Sequence, residues 1–529
     1  MAIFLDLHRD AIGGTIATFD RLIFKGHLNA LFPRGAFKRY LDRRGILLKD
    51  AGSFFEAETA RLKAHAKALA DDSGRPFVYL NAAHTHATGS SKESLARRIA
   101  EDDGVTEGLV CAFSTVEPCR SFTVAGNRET KRLEVVRRPR QCLHFYWYLI
   151  YWYLIDPDFG WMHVRLQSWA PYSIQVYVNG REWLARQLDR RGIAYSKSDN
   201  KITWVADVEA ARQLCDSFTH TAWPAFLDRL ARMVNPLLPD LQTAGFGAYW
   251  WVIDQCEYAT DLLFKERGVL ETVRADLVEA AMTGFGATDV LRFLDRKPHP
   301  AFTGEVTLDR KTRPEGCRVK FRLKANAIKF YDHQNVLRIE TTINNPREFK
   351  VLRVIDQNGE KHPRWRPMGK SVEHFWRYAQ VADGANRRLI DALANAPLKG
   401  EATQELDELC RSRDRDGTRV PRFNPVDAHT VLLFIAVLSG EFAITGFRNR
   451  DLQAKLFDTA PPDDREARRR THQTSRLIAK LRGHRLIAKI GTSRLYRVTA
   501  RGIKAMWPAI RFRKSDFPLD FQRAASAAC

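Results

Sequence analysis

Residues 145 to 155 read FYWYLIYWYLI, without a charge or a helix breaker, and the pentapeptide YWYLI stands there twice in succession, at 146 to 150 and 151 to 155. Aromatic and β-branched residues at this density favour a strand. A strand that is apolar at odd and even positions alike has to be covered on both faces, so the run predicts a central strand of a buried sheet. The repeat adds a second constraint. Five is odd and the pleat has period two, so five extra residues turn every later side chain to the opposite face unless a bulge or a looped-out segment absorbs them, or both faces are buried. The run is too short to span a bilayer.

The rest of the chain predicts a multidomain α+β protein with a mixed α/β core containing antiparallel strands. Residues 1–105 read as a helical N-terminal domain, with helical spacing in FDRLIFKGHLNALF and SFFEAETARLKAHAKALADD and capping residues opening SSKESLARRIAED. Residues 106–206 read as α+β: LVCAFSTV, the 143–155 run, WMHVRLQSW and YSIQVYV are strands, and Asn179 with Gly180 turns the chain into the helix REWLARQLDRRG. Strands that meander and then enter a helix also open RNase H-like folds, which place an acid inside the first strand; the nearest acid here, Asp156, closes its strand in the turn DPDFG. Residues 207–300 read as helical, including the stretch from Tyr249 to Asp295. On such a helix Glu257 and Asp261 share a face with Lys265, which suits paired metal ligands or acid–base groups as well as a solvated face neutralised by lysine. A β-hairpin with helices over 301–412, a charged linker over 413–430 and a C-terminal module over 431–529 complete the chain.

At 529 residues and 45% apolar content the chain can build three or four packed domains. Its 8 cysteines, at 111, 119, 142, 215, 256, 317, 410 and 529, include no CxxC pair, and Cys111, Cys119, Cys142 and His144 match no standard zinc spacing. Free thiols and the lack of a secretion signal point to the cytoplasm. The net charge is +22, and from Arg448 to Arg523 there are 20 Lys and Arg against 7 Asp and Glu. A polyanionic partner is expected, and no membrane.

That basic segment reads as a winged helix-turn-helix. FRNRDLQAKLF is an amphipathic helix, TAPPDD a loop, and REARRRTHQTSRLIAKLRGHRLI a second helix whose Arg468, Arg469, Arg470, Ser475, Arg476 and Lys480 suit entry into a groove of DNA. LIAKI, GTSR and LYRVT read as a two-stranded wing whose Lys489, Arg494 and Arg497 suit phosphates. The plainer reading is a solvated helical hairpin that serves as a homodimer contact.

A second basic element lies upstream. In RVKFRLK, Arg318, Lys320, Arg322 and Lys324 alternate with Val319, Phe321 and Leu323, which makes a strand with a row of cations about 7 Å apart on one face. With Lys329 and with Arg310, Lys311 and Arg313 nearby, this fits a phosphate-tracking surface, or else an edge strand protected by lysines. AIKFYD and VLRIETTIN follow as a hairpin. In it Asp332 and Glu340 are candidate metal ligands and catalytic acids, while Arg338, two residues from Glu340, offers a purely structural ion pair.

The pairing of IKFYD with LRIETTIN resembles a stretch of some rolling-circle replication initiators, in which a tyrosine-bearing strand precedes a glutamate-bearing one; the resemblance implies a catalytic role for Tyr331, but no HxH metal motif accompanies it. More broadly, CLHFYWYL, FGWMHVRLQSWAPYSIQVYVNGREWLARQL, QCEYATDLLFK, GEVTLD, KFYDHQNVLRIETTINN and GFRNRDLQAKL are similar to a widespread uncharacterised bacterial family of mobile-element type, whose members are labelled MarR-like regulators from the C-terminal winged helix. The pattern of that family has one copy of YWYLI.

The chain has no GxxxxGK[ST] loop, no GxGxxG after a strand, no HExxH and no GxSxG, which disfavours ATP-driven motors, nicotinamide enzymes, zinc proteases and serine hydrolases. Three classes stay open. The first is a nucleic-acid enzyme, a nuclease, nickase or transposase-like protein in which Glu257, Asp261, Asp332 and Glu340 hold Mg²⁺. The second is a non-catalytic RNA-binding component of a ribonucleoprotein that stacks bases on its 12 tryptophans. The third is a winged-helix transcription regulator.

Overall fold

A computed structural model describes residues 2–28, 31, 35–81, 91–119, 121–138, 146–283, 285–297, 304, 306–313, 316–357, 360–394, 402–415, 417–457, 459–491 and 493–513. The fold is mixed α/β. In chain order its strands are β1 Ile12–His27, β2 Phe77–Leu80, β3 Gly108–Pro118, β4 Ser121–Gly126, β5 Leu133–Arg138, β6 Tyr146–Asp156, β7 Gly160–Gln167, β8 Ile174–Asn179, β9 Tyr195–Ser198, β10 Lys201–Val205, β11 Trp250–Phe264, β12 Val306–Arg313, β13 Gly316–Leu323, β14 Asn326–His333, β15 Val336–Ile343, β16 Lys350–Gln357, β17 Glu360–Pro367, β18 Arg413–Arg415, β19 Thr418–Val420, β20 Ile487–Lys489 and β21 Tyr496–Val498. The chain divides into two compact units, one of Met1–Thr15, Thr260–Thr341 and Val381–Cys529, the other of Ile16–Ala259 and Thr342–Gln380. Strands β1, β11 and β15 contribute residues to both.

In the second unit the strand order is β11-β1-β8-β7-β6-β3-β2. The ladders from β1 through β8, β7 and β6 to β3 are antiparallel, and β2 joins β3 in parallel. Both copies of YWYLI lie in the single strand β6, hydrogen-bonded to β3 on one edge and to β7 on the other. Tyr151, Tyr153 and Ile155 pack with Ala96 and Ala100 of the helix Lys92–Asp102, while Trp152 and Leu154 join Leu69 and Leu230 on the other face. Burial on both faces is what lets an odd insertion stand. β6 itself keeps an unbroken register with β7, and the one irregularity in its ladder with β3 falls between Leu109 and Cys111. Asn179 caps the helix Gly180–Arg190 through the backbone amides of Arg181 and Glu182, as its dipeptide predicts.

Two stretches expected to be helical are strands. FDRLIFKGH belongs to β1, whose Phe19 stacks on Phe375 at 4.2 Å and whose Phe24 meets Trp223 at 4.6 Å. WWVIDQCEYATDLLF is β11. Apolar residues on both faces of a buried strand leave spacings of three and four that mimic a helix, and the partner strands, not local pattern, decide between them.

In the first unit the strand order is β12-β13-β14-β15-β11. β13 pairs with both β12 and β14, so the cationic strand is not an edge. Its apolar face carries Phe321 against Phe285 and Phe293. Beyond residue 400 the helices Ala428–Val437, Asn449–Leu456, Asp464–Gly483 and Ala500–Arg511 and the ribbon β20–β21 share a core that includes Phe434, Phe447, Leu452, Leu481 and Met506. The expected linker is part of this body and not a free tether. β18 pairs with β19, Phe423 is buried against Phe434, and Pro421 O meets the His484 ring at 2.9 Å.

Asp261 of β11 and Arg338 of β15, both fully buried, form a two-pronged ion pair at 2.6 and 2.8 Å. Breaking a buried pair strands the surviving charge, so Arg338→Met is expected to lower unfolding free energy in urea by about 3–5 kcal/mol. The double variant Arg338→Met with Asp261→Leu should recover most of that loss. Equal losses in the single and double variants would show that the pair is not what holds these strands.

Candidate functional site

β14 and β15 carry the acids and the tyrosine singled out in the sequence, and the pleat sorts them. Tyr331 and Asp332 are consecutive, so they point to opposite faces. Asp332 accepts a hydrogen bond from the Cys317 amide at 2.7 Å and pairs with Arg274 at 3.1 Å. Gly316 is required beside it, because a Cβ there would lie 2.4 Å from the Asp332 carbonyl oxygen. Asp332 thus fixes the β13–β14 ladder and does not join Glu340. Asp261 is likewise committed to Arg338 in place of the expected pairing with Glu257.

Glu340, 1% exposed, is instead held by Lys329, whose Nζ lies 2.6 Å from Oε1, and by the Tyr331 hydroxyl, which donates to Oε2 at 3.3 Å. In the ladder Arg318 stands opposite Tyr331 and Lys320 opposite Lys329. Residues directly opposite share a face, so these four side chains and Glu340 lie on one side of the sheet. Arg322, exposed, extends the row, and Arg318 also pairs with Asp309 at 3.0 Å. Lys324 leaves it: with φ of 54° it belongs to the turn after β13.

The second unit carries an acidic pair that the sequence reading only partly found. Oxygens of Asp20 on β1 and Glu257 on β11, both in the second unit, lie within 4.8 Å of each other. Gln255 donates to Glu257 at 3.0 Å and Asn200 donates to Asp20. Oxygens that face each other across a Mg²⁺ ion stand about 4.2 Å apart, and across Ca²⁺ about 4.6–5.2 Å, so two carboxylates at this spacing suit a hard divalent cation. Asp20 was missed because ATFDRLIF reads as a helix; an acid amid β-branched and aromatic residues was the available signal. Asp156, the acid weighed instead, accepts from the amides of Asp158 and Phe159 and so closes a turn.

The second unit has a further polar cluster on β3, β6, β7 and β8. Glu117 accepts from Lys92 at 2.6 Å and from Thr115 and Tyr151 at 2.8 Å. Burial alone would raise the Glu117 carboxyl, but these donors hold it below its usual range. His163 stacks on Tyr177 at 5.1 Å, nearly coplanar, with Arg165 two residues on. Of the zinc candidates, Cys111 and Cys119 are buried free thiols, and residues 142 and 144 lie outside the described residues.

In the C-terminal segment the predicted basic residues divide. Lys480 lies 4.0 Å over the Phe423 ring, Arg470 4.7 Å over Phe457, and both Arg469 and Arg470 pair with Glu466. Arg468, Arg476, Lys489, Arg494 and Arg497 are exposed. Lys489 also lines a cleft of about 600 Å³ with Arg413, Arg482 and Arg485. No protein-family model, curated protein or solved structure matches the chain.

Burial, aided by the charges of Arg165, Arg21 and Lys92, lowers the His163 pKa to about 4. The unfolded chain therefore binds the proton more readily between about pH 6.5 and 4, and the contribution of His163 to stability is complete above that window and fades as pH falls through it. Thermal melts from pH 7.5 to 4.5 should show a falling midpoint, and His163→Phe, which keeps the aromatic stack, should flatten part of that fall. An unchanged pH profile in the variant would assign the titration to another group.

Proposed function

We propose that this protein binds nucleic acid and cleaves or transfers a strand of it with a divalent metal ion, Mg²⁺ in the cell. The observation that carries the reading is the setting of Glu340: a buried carboxylate flanked on its own sheet face by Lys329, Lys320, Arg318 and Arg322. A bound cation would supply Lewis acidity toward a phosphoryl oxygen and lower the pKa of a bound water. The residues have separable tasks. Glu340 would be a ligand of the ion, and Asp20 with Glu257 offers a second pair of acids for one. Lys329 neutralises Glu340 and would supply a cation to a phosphate beside it. Arg318, Lys320 and Arg322 fix the backbone of the strand. Tyr331, hydrogen-bonded to Glu340, orients that carboxylate and stands beside the reacting phosphate, the position that the likeness to rolling-circle initiators implies for it.

The C-terminal segment acts, on this reading, as an accessory winged helix. Its order of two helices, a short ribbon and a closing helix, with Arg476 exposed on the longer helix and Arg494 and Arg497 on the ribbon, supports docking to a duplex. A role among mobile-element proteins rests on the family resemblance.

Incubation with labelled single- and double-stranded DNA and RNA, in Mg²⁺ or EDTA, tests the proposal. Cleavage is expected in Mg²⁺ only, and Glu340→Gln or Asp20→Asn should reduce it by at least about 100-fold, the scale of losing one preorganised electrostatic contact, while binding persists. Tight binding without cleavage of any substrate would leave only the binding half standing. Replacing Arg318, Lys320 and Arg322 with Ala should reduce the slope of log affinity against log salt by roughly 2–3; an unchanged slope would remove the phosphate-tracking role of β13.

A further inference from the structure

Trp152 is the tryptophan of the second YWYLI copy. Its counterpart in the first copy, Trp147, donates its indole N–H to Thr59 at 2.9 Å. The indole N–H of Trp152 is buried with no acceptor among the described residues, on a side chain that is 0% exposed. A buried donor left unpaired is costly, and this one belongs to a residue that lines a cavity. The cavity lies within the second unit, has a volume of about 250 Å³, and is walled by Leu69, Leu109, Leu154, Leu230 and Met233 around Trp152. Leu69 comes from the helix Ala51–Asp72, Leu230 and Met233 from the helix Trp223–Val234, and the others from β3 and β6.

Size and polarity together select a ligand. An apolar cavity of about 150 Å³ holds benzene, so this one takes one ring or two fused rings, whereas an α-helix, about 10–12 Å across with its side chains, does not fit. Charge narrows the choice further. Asp156 and Arg229, which also line the cavity, pair with each other at 3.4 Å, and Asp156 accepts from the amides of Asp158 and Phe159, so neither is an unanswered charge. Glu107, exposed at the mouth, disfavours an anion, and the aliphatic walls disfavour any ion. An apolar site with one well-placed polar group holds its ligand in a single orientation, and here that group is a donor. We infer that this cavity binds a neutral, mostly apolar compound of one or two rings that accepts a hydrogen bond from the Trp152 indole N–H. A ring seated there would tie β6 to the helix Trp223–Val234. The inference uses none of the residues of the nucleic-acid reading and stands or falls apart from it.

The test titrates the full chain, labelled with ¹⁵N at tryptophan, with two probes of one shape: quinoline, whose ring nitrogen accepts a hydrogen bond, and naphthalene, which has no acceptor. The readouts are affinity and the indole N–H resonances, that of Trp152 being the one lost in Trp152→Phe. Quinoline is expected to move the Trp152 resonance saturably and to bind wild type about tenfold more tightly than naphthalene, the scale of satisfying one buried donor. Trp152→Phe, which keeps an aromatic wall and removes the donor, should bind the two probes equally. Met233→Trp, which fills the cavity, should weaken both by at least about tenfold, with melting temperatures as the check on folding. The comparison of the two probes in wild type needs neither variant. Absence of saturable quinoline binding, equal affinity of wild type for both probes, or shifts confined to other tryptophans would each overturn the inference.

Discussion

Strands bonded on both edges and covered on both faces set the terms for everything else here. Such a strand cannot place a polar side chain anywhere without a partner, because an unpaired buried carboxylate or guanidinium is far more costly than the burial of an apolar side chain is favourable. β6 obeys this by being apolar on both sides. β11 and β15 depart from it only where partners exist: Asp261 finds Arg338, and Glu340 finds Lys329 and Tyr331. The carboxylates of interest therefore sit in the least forgiving part of the fold, which is why their placement carries information that a surface cluster would not.

The buried acids also separate by the kind of partner they have. Asp261 has both oxygens engaged by one guanidinium, and Asp332 has one on a backbone amide and one on Arg274. Each is geometrically complete and suits a structural role. Glu340 is met by an ammonium and a phenol, and lysine is a flexible point charge and not a fork. An arginine clamp fixes the direction of both carboxylate oxygens, whereas a lysine contact fixes the position of only one.

Sequence pattern foretold these features where one face of a strand was polar. RVKFRLK alternates without a break, and β13 is found at Gly316–Leu323 with Val319, Phe321 and Leu323 buried. The helix after Asn179 and the C-terminal helices were legible through caps and amphipathic spacing. β1 and β11 were not, because a strand buried on both sides loses the period-two signature and its apolar spacings then match a helix as well. Asp20 was hidden by that misreading, and so was the true partnership of Glu257. Asp332 failed for a simpler reason: adjacency to Tyr331 in sequence means opposition across the sheet.

The ribbon Lys350–Pro367 escaped notice for the converse reason. KVLRVIDQ and EKHPRWRP carry too many charges and prolines to read as sheet, and in an internal strand they would be excluded; Pro363 and Pro367 are tolerated because an unpaired edge has no ladder bond to lose. A pair of strands with two open edges, three exposed large apolar side chains and two arginines in opposition is under-stabilised by itself. Exposed edges of this kind are ordinarily blunted by lysine, by proline or by cover from a neighbouring element, and here the prolines blunt the edges without covering the faces. On the face of Arg353, Val351 is buried and the Arg353 guanidinium meets the His374 ring. The ribbon is therefore held on that side and presents Leu352, Val354 and Trp365 on the other.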